Sequence, residues 1–440
     1  MTLAPPHPLE ARDLHDAWRM LSQEERAEGF ALLPVDAAQS FFQELPTLDQ
    51  ARLLMQLPPA QRKLWMGRLE PDDAVDVLQQ LPLDARGELM GYLNQPTRVE
   101  VAALLAYAED EAGGLMSTRF ARLRPEMTIE EATHYLRLQA RDRLEHVYYA
   151  YVLDAEKKLV GVLSVRELFR SEGSKRVKEA MKSDLVTIPE DMDQEHVAGV
   201  LAKHDFLSLP VVDPDGHMKG IVTFDDIVDV VQEEATEDIQ KLGGMEALDL
   251  PYLQTGLFAI VRKRAVWLAV LFLGEMLTAT AMAHYEEAIA SAVILAVFVP
   301  LIISSGGNSG SQATTLIIRA MALGEVTLGD WWRVIRRELA AGLLLGSILA
   351  PIGFLRIVAW EFVFHDYGEH YLAIACTVAG SLMGVVIFGT LAGSMLPFLL
   401  RRLGFDPASA SAPFVATFVD VSGVILYFSI AKAILSGTLL

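Results

Sequence analysis

The sequence predicts a multidomain chain: an all-α superhelical N-terminal domain, an α/β pair built by duplication, and an all-α polytopic membrane domain with five transmembrane helices. Three patterns predict it. Leucine recurs every twelve residues near the start, a mixed strand and helix pattern occurs twice between Met116 and Val231, and five long apolar segments follow Pro251. A length of 440 residues is too great for one ordinary core, and 52% hydrophobic residues exceeds the usual soluble level.

The N-terminal repeat consists of Leu21, Leu33, Leu45, Leu57, Leu69, Leu81, Leu93 and Leu105, and proline directly follows Leu33, Leu45, Leu57 and Leu81. Twelve residues hold one short helix and a turn, and proline is tolerated where one helix stops and the next begins. A small helical superhelix over residues 1–113 follows, of the kind that serves as a docking or scaffolding module.

In the α/β part, YVLDAEKKLVGVLSVREL (151–168) aligns with PVVDPDGHMKGIVTFDDI (210–227), matching Asp154 to Asp213, Gly161 to Gly220 and Ser164 to Thr223. Upstream, MSTRFARLRPEMTIEEA parallels MKSDLVTIPEDMDQEHV and completes two β-α-β-β-α units. The duplication resembles a tandem pair of CBS domains, expected over 114–176 and 177–238. Such pairs are regulatory and often bind nucleotide, and the resemblance places Thr223 and Asp226 where phosphate and ribose are held. Glu167 replaces that aspartate in the first copy, so the resemblance implies at most one adenine nucleotide site, for example for ATP. An acidic, then amphipathic helical connector is expected over 239–264.

The charge distribution separates the two halves. From residue 251 onward basic and acidic residues balance at eleven each, so the whole net charge of −20 belongs to residues 1–250. Such a surplus repels itself unless cations neutralise it, and it argues against nucleic acid as a partner. The single cysteine, Cys376, excludes a disulfide framework and a cysteine-based zinc site. The first residues carry no basic start followed by an apolar core, so no secretory leader is expected and the acidic half should remain cytosolic. Neither a nucleophile and base constellation nor a phosphate-binding loop suggests an enzyme.

The apolar segments lie at about 265–284, 288–320, 338–358, 371–399 and 410–435, against a requirement of roughly 17 to 25 residues for a helix crossing the hydrocarbon core of a lipid bilayer. Arg262, Lys263 and Arg264, then Arg333, Arg336 and Arg337, then Arg401 and Arg402 fall in alternate connections. The positive-inside rule therefore puts the N-terminus in the cytosol and the C-terminus outside. SSGGNSGSQ (304–312) interrupts the second span with small and polar residues. A close helix interface would explain its glycines, but Asn308 and Gln312 favour a pore-side position. Acidic residues inside a span are costly, roughly 2.5 to 3.5 kcal/mol each on the insertion scale, and so point to function. Glu275 and Asp420 are the candidates without a basic neighbour in sequence, whereas Glu338 follows Arg336 and Arg337 at the boundary. If two chains met at such a position, the two carboxylates would demand a shared cation, and a hydrated divalent ion needs few direct protein ligands.

SGGNSGSQATTLIIRAMALGE and GFDPASASAPFVATFVDVSGVILYF, together with five spans, a CBS pair and a helical N-terminal domain in one order, resemble the MgtE family of magnesium channels. The resemblance implies a homodimer in the bacterial inner membrane. Its pore is lined by the second and fifth helices, including Asn308, Gln312, Ala416 and Thr417, and Asp420 of both subunits holds the transported Mg2+. It implies metal sites at Asp406 at the cytoplasmic mouth and at Asp193, Glu195, Asp205, Asp226, Asp229, Glu234, Glu237 and Asp238, with Asp72 and Asp76 as weaker matches. It also equates 246–263 with a plug helix that closes the pore when Mg2+ binds. Glu275 lies outside the resemblance and motivates a cation exchanger or proton-coupled carrier as one alternative; a membrane-anchored Mg2+ or nucleotide sensor that conducts nothing is a separate alternative of a different class.

Overall fold

The computed structural model describes residues 10–142, 144, 147–248, 250–365 and 367–439. Residues 1–9, part of the stretch read for a leader, lie outside it. The chain forms two compact units, Met1–Gln232 and Glu233–Leu440.

The first unit begins with α1 (Ala11–Ala17), α2 (Gln23–Leu32), α3 (Val35–Glu44), α4 (Thr47–Gln56), α5 (Pro59–Met66), α6 (Pro71–Gln79), α7 (Leu83–Tyr92) and α8 (Gln95–Leu104). The repeating leucines sit at the joints, with Leu33, Leu45, Leu57, Leu69, Leu81 and Leu93 all buried. Pro34, Pro46, Pro58 and Pro82 occupy the N-cap of the following helix. A second periodicity solves the problem of the carbonyls left open at each helix end. Five residues after a repeat leucine, Gln50, Arg62, Arg86 and Arg98 each donate to the carbonyl of that leucine. Each also reaches a carbonyl of the preceding helix. The charged or polar side chain thus closes one helix while packing under the next.

After α9 (Ala112–Leu115), two three-stranded sheets realise the duplication. β1 (Ala121–Leu123) runs parallel to β2 (Tyr149–Leu153), which pairs antiparallel with β3 (Leu159–Ser164); α10 (Ile129–Asp142) and α11 (Val165–Arg170) flank them. After α12 (Val177–Ala180) the second copy repeats this with β4 (Ile188–Pro189), α13 (Gln194–His204), β5 (Ser208–Val212), β6 (Met218–Thr223) and α14 (Phe224–Leu242). The registers correspond: Tyr149 opposes Ser164 as Ser208 opposes Thr223, and Val152 opposes Gly161 as Val211 opposes Gly220. The two copies exchange their leading segments. Ser117, before the first copy, bridges to Ile221 of the second, and Lys182, before the second, bridges to Val162 of the first. A Cβ at Gly220 would lie 2.6 Å from the Ser117 carbonyl oxygen, which is why that position takes no side chain.

The second unit contains α15 (Leu257–His284), the short α16 (Glu286–Ser291), α17 (Ile294–Ala322), α18 (Trp331–Phe364), α19 (Tyr371–Arg402) and α20 (Ala412–Leu435). Five helices are long and apolar enough to cross a membrane. Three expectations need correction. The second span starts at Ile294 rather than 288, because the backbone leaves helical geometry at Ala292 (φ −136°, ψ 74°). Its Gly-rich run does not interrupt it, since α17 is continuous through Ser304–Gln312. Gly306 and Gly310 pack backbone to backbone on Gly389 and Gly393 of α19, and the Thr314 hydroxyl donates to the carbonyls of Gly310 (3.0 Å) and Gly393 (2.8 Å). These glycines are buried in protein, where small residues favour close helix contact. The connector over 239–264 is not one helix: α14 ends at Leu242, Gly244 adopts φ +72°, and α15 starts only at Leu257. Residues 244–247 lie along α15, with the Lys263 ammonium donating to the Ala247 carbonyl and a Gly244 Cβ position 2.8 Å from Trp267 Nε1.

Candidate functional site

Three groups of predicted residues are positioned by these elements. Within the membrane unit, α17 and α20 meet along a seam of small residues. A Cβ at Gly307 would lie 3.5 Å from Ala416 and 3.8 Å from Asp420 Oδ1, and the Ser311 hydroxyl donates to the Ala412 carbonyl at 3.2 Å. Ala412, Ala416 and Asp420 follow at four-residue intervals and so share the helix face turned to α17. Asn308 and Gln312, one turn apart, remain exposed on α17 beside this seam. Thr417 points elsewhere, its methyl lying 2.8 Å from the Cβ position of Gly274 on α15. Glu275 follows Gly274, is exposed, and interacts electrostatically with Asp420. Asp420 forms no ion pair among the described residues.

A second group lies at the basic end of the membrane unit. Asp406 caps the 3-10 turn Pro407–Ser409, accepting from the Ala408 amide at 2.8 Å through Oδ1, and its Oδ2 pairs with Lys241 at 2.6 Å. Lys241 also reaches Glu237 at 2.5 Å, one turn back on α14. Partial burial, then the charge of Asp406, raises Asp238 above the usual carboxylate range. Glu234 lies one turn before Asp238 on the same helix.

The third group belongs to the first unit. Pro71 starts α6, so Asp72 and Asp73 occupy its first turn and Asp76 follows one turn on. Asp226, in the first turn of α14, accepts from the Thr223 hydroxyl at 2.5 Å. Desolvation, then the charges of Asp226, Asp73, Asp72 and Glu109, pushes Asp76 up to about 8, and Asp226 is raised to about 7 by desolvation and by Asp72, Asp225 and Asp73. The Asp76 side chain is nonetheless exposed to water and Asp226 is half-buried, so solvent screens both shifts. Asp72 is raised by burial against the lowering effect of hydrogen bonds from Ser117 and nearby backbone and of the Arg119 charge, and its Oδ1 is buried with no hydrogen-bond partner among the described residues. These carboxylates repel one another electrostatically, but no three of them bring oxygens within 4.8 Å of one another, the spacing that the ligand atoms of Asp213, Asp215 and His217 do show among the described residues.

The remaining predicted acids do not converge in this way. Asp193 is the N-cap of α13, accepting from the amides of Glu195 and His196, while Asp205 ends the same helix in the left-handed region at φ +52°. Twelve helical positions separate them by roughly 18 Å, too far to share one ion. Asp229 is exposed on α14. Sequence reasoning missed Asp73, Glu109 and Lys241. The first stood in the quoted EPDDAVDVL motif, but only folding shows which of its acids turn toward Asp226.

A five-span membrane unit with a carboxylate in a helix seam that forms no ion pair among the described residues, preceded by a repeat domain and a CBS pair, defines a cation-handling membrane protein. Family models described as "Divalent cation transporter", "MgtE intracellular N domain" and "CBS domain" match residues 299–430, 9–110, and 112–173 with 177–233. The chain is 41% identical to the magnesium transporter MgtE of Thermus thermophilus over 434 residues, covering 98% of this chain and 94% of that one. It is 34% identical to the Enterococcus faecalis magnesium transporter MgtE, covering 76% and 71%. The crystal structure of the cytosolic domain of the Mg2+ channel MgtE in complex with ATP is 40% identical, covering 50% of this chain and 90% of that one with a TM-score of 0.48. The chain belongs to the MgtE family.

Proposed function

We propose that this protein is a homodimeric magnesium channel for Mg2+ uptake across the bacterial inner membrane, closed by Mg2+ binding to its acidic regions. The observation that carries the reading is Asp420: a carboxylate inside an apolar helix, set against Gly307 in a seam of small residues, with no ion pair among the described residues. Its cost in the membrane is offset when it meets a hydrated divalent ion. Two copies facing one another across a dimer axis would hold one ion between them, with Asn308, Gln312 and Ala416 on the walls. The basic clusters at Arg262–Arg264, Arg333–Arg337 and Arg401–Arg402 support a cytosolic N-terminus and an external C-terminus.

The gate uses the same ion. At low Mg2+ the carboxylates of Asp72, Asp73, Asp76 and Asp226 repel one another; at high Mg2+ an ion bridges them and favours a closed arrangement. Asp193, Glu195, Asp205, Asp229, Glu234, Glu237, Asp238 and Asp406 supply further candidate ligands. ATP at the CBS pair fits this gate only with its ribose on Asp226 and its phosphates directed away from the α6 aspartates, because like charges repel. Equilibrium dialysis with ATP, with and without Asp226→Ala, tests that placement.

The deciding experiment is Mg2+ flux in proteoliposomes with Mg2+ on the two sides varied independently. Flux should need no Na+ or proton gradient and should fall as Mg2+ rises on the cytosolic face. Neutralising Asp226, Asp229 and Glu234 together should leave flux high at millimolar Mg2+. Flux that vanishes without a Na+ or proton gradient would overturn the channel reading in favour of a coupled carrier.

A further inference from the structure

Resting on that reading, we propose that the Lys241 ammonium is a tethered counter-ion at the cytoplasmic mouth, which a divalent cation must displace to bind there. Lys241 then sets the Mg2+ concentration at which the mouth responds.

The contacts define a competition rather than a shared site. Lys241 Nζ holds Glu237 Oε1 at 2.5 Å and Asp406 Oδ2 at 2.6 Å. The other Asp406 oxygen is committed to the Ala408 amide at 2.8 Å. A metal ion approaching Asp406 therefore meets one oxygen spent on the backbone and the other covered by an ammonium. Glu237 precedes Lys241 by four residues, the more favourable order for a helical ion pair.

The tether also joins two elements with different tasks. Glu237 and Lys241 lie on α14, whereas Asp406 caps the turn that leads directly into α20, the helix carrying Asp420. One ammonium neutralises only part of the negative charge of Glu237, Asp238 and Asp406. A divalent ion brings twice the charge and can take oxygens from several carboxylates at once, so displacement becomes favourable as its concentration rises. Both partners are partly open to water, at 28% side-chain exposure for Lys241 and 38% for Asp406, so exchange requires no buried rearrangement.

Removing the ammonium should make the site easier to fill. For Lys241→Met and Lys241→Gln in the purified full-length protein, the Mg2+ midpoint for closing flux should fall about threefold to fivefold, the range expected when a partly exposed ion pair no longer competes. Protection of residues 243–256 from proteinase K as Mg2+ is titrated gives a second midpoint that does not depend on flux, and it should shift equally. Lys241→Arg keeps the charge and should stay close to the native midpoint. If both neutral variants keep the native midpoint, or need more Mg2+, the tether is a structural latch and the inference fails while Mg2+ gating stands. If the native protein itself shows no midpoint in either measurement, the gating reading falls and the inference with it. Glutamine retains a hydrogen-bond donor, so that variant supplies the answer should the methionine variant fail to assemble.

Discussion

The aspartate cluster of the first unit makes stability depend on pH in a direction opposite to that of ordinary paired carboxylates. Asp76 is raised from 3.8 to about 8 by desolvation and by the charges of Asp226, Asp73, Asp72 and Glu109. Between those values the native state binds more protons than the unfolded chain, so stability is present at low pH and is lost as pH rises through the window. From pH 6 to 8 the unscreened cost would be roughly 2 kcal/mol, since the slope of at most about 1.4 kcal/mol per pH unit falls off as Asp76 itself ionises near pH 8. Water still reaches Asp76, and screening reduces this to about 1 kcal/mol. For a unit of this size that lowers the melting midpoint by roughly 2–4 °C.

The assay is differential scanning fluorimetry of the detergent-solubilised chain at pH 6 and pH 8, comparing native protein with Asp76→Asn. Taking the difference between the two proteins at each pH cancels titrations elsewhere. Asp76→Asn should melt higher than the native protein at pH 8, with the gap closing by pH 6. Millimolar Mg2+ should raise the native midpoint more at pH 8 than at pH 6, since bound metal replaces protons, and should raise the variant less. An equal pH response in both proteins, or an unchanged Mg2+ shift in Asp76→Asn, would refute the assignment of strain and cation binding to this cluster.

Asp420→Ala should reduce Mg2+ flux to background in proteoliposomes while size-exclusion chromatography shows the same assembly; normal flux would remove Asp420 from the pore. Gly393→Ala drives a methyl into the Gly310 carbonyl and should cost about 1–3 kcal/mol as overpacking. Gly87→Ala, in α7 with nothing within 4 Å of its Cβ position, should instead stabilise by roughly 0.5–1 kcal/mol; thermal melts of both separate close packing from helix propensity. Arg86→Ala frees the carbonyls of Leu81 and Gln79, and a loss of about 1–3 kcal/mol in the same melts is expected.

The domain order was legible because each part carries its own period. Leucine every twelve residues gave the helical joints, and matched Gly161 and Gly220 gave the two sheets in one register. Length and hydropathy found the spans, but their boundaries depended on features without a periodic signal, such as the break at Ala292 and the turn at Gly244. The run SSGGNSGSQ misled for a physical reason. Glycine destabilises an exposed helix, whereas Gly306 and Gly310 are covered by Gly389 and Gly393, more than seventy residues away. The site was legible as a list of acids but not as groups. Asp193 and Asp205 do local capping work, and Asp73 joins Asp76 and Asp226 only through the packing of α6 near the start of α14.

Why the acids are divided among several places follows from the size of the shift a gate requires. Moving a two-state equilibrium from 1:99 to 99:1 takes about 5.5 kcal/mol of differential binding. A partly exposed pair such as Lys241 and Asp406 contributes about 1 kcal/mol or less, and relief of repulsion at Asp76 is worth about as much after screening. No single group of this kind closes the gate, whereas several filled together reach the required total and make the response to Mg2+ steeper than one site allows. Single neutralisations in either acidic group should therefore move the closing midpoint by a fewfold and leave full closure attainable, and only combined neutralisation should hold the channel open. Flux titrations of Asp76→Asn, Asp226→Asn and the double variant check this. If one substitution alone abolishes closure, control is concentrated at that residue and the distributed scheme is wrong.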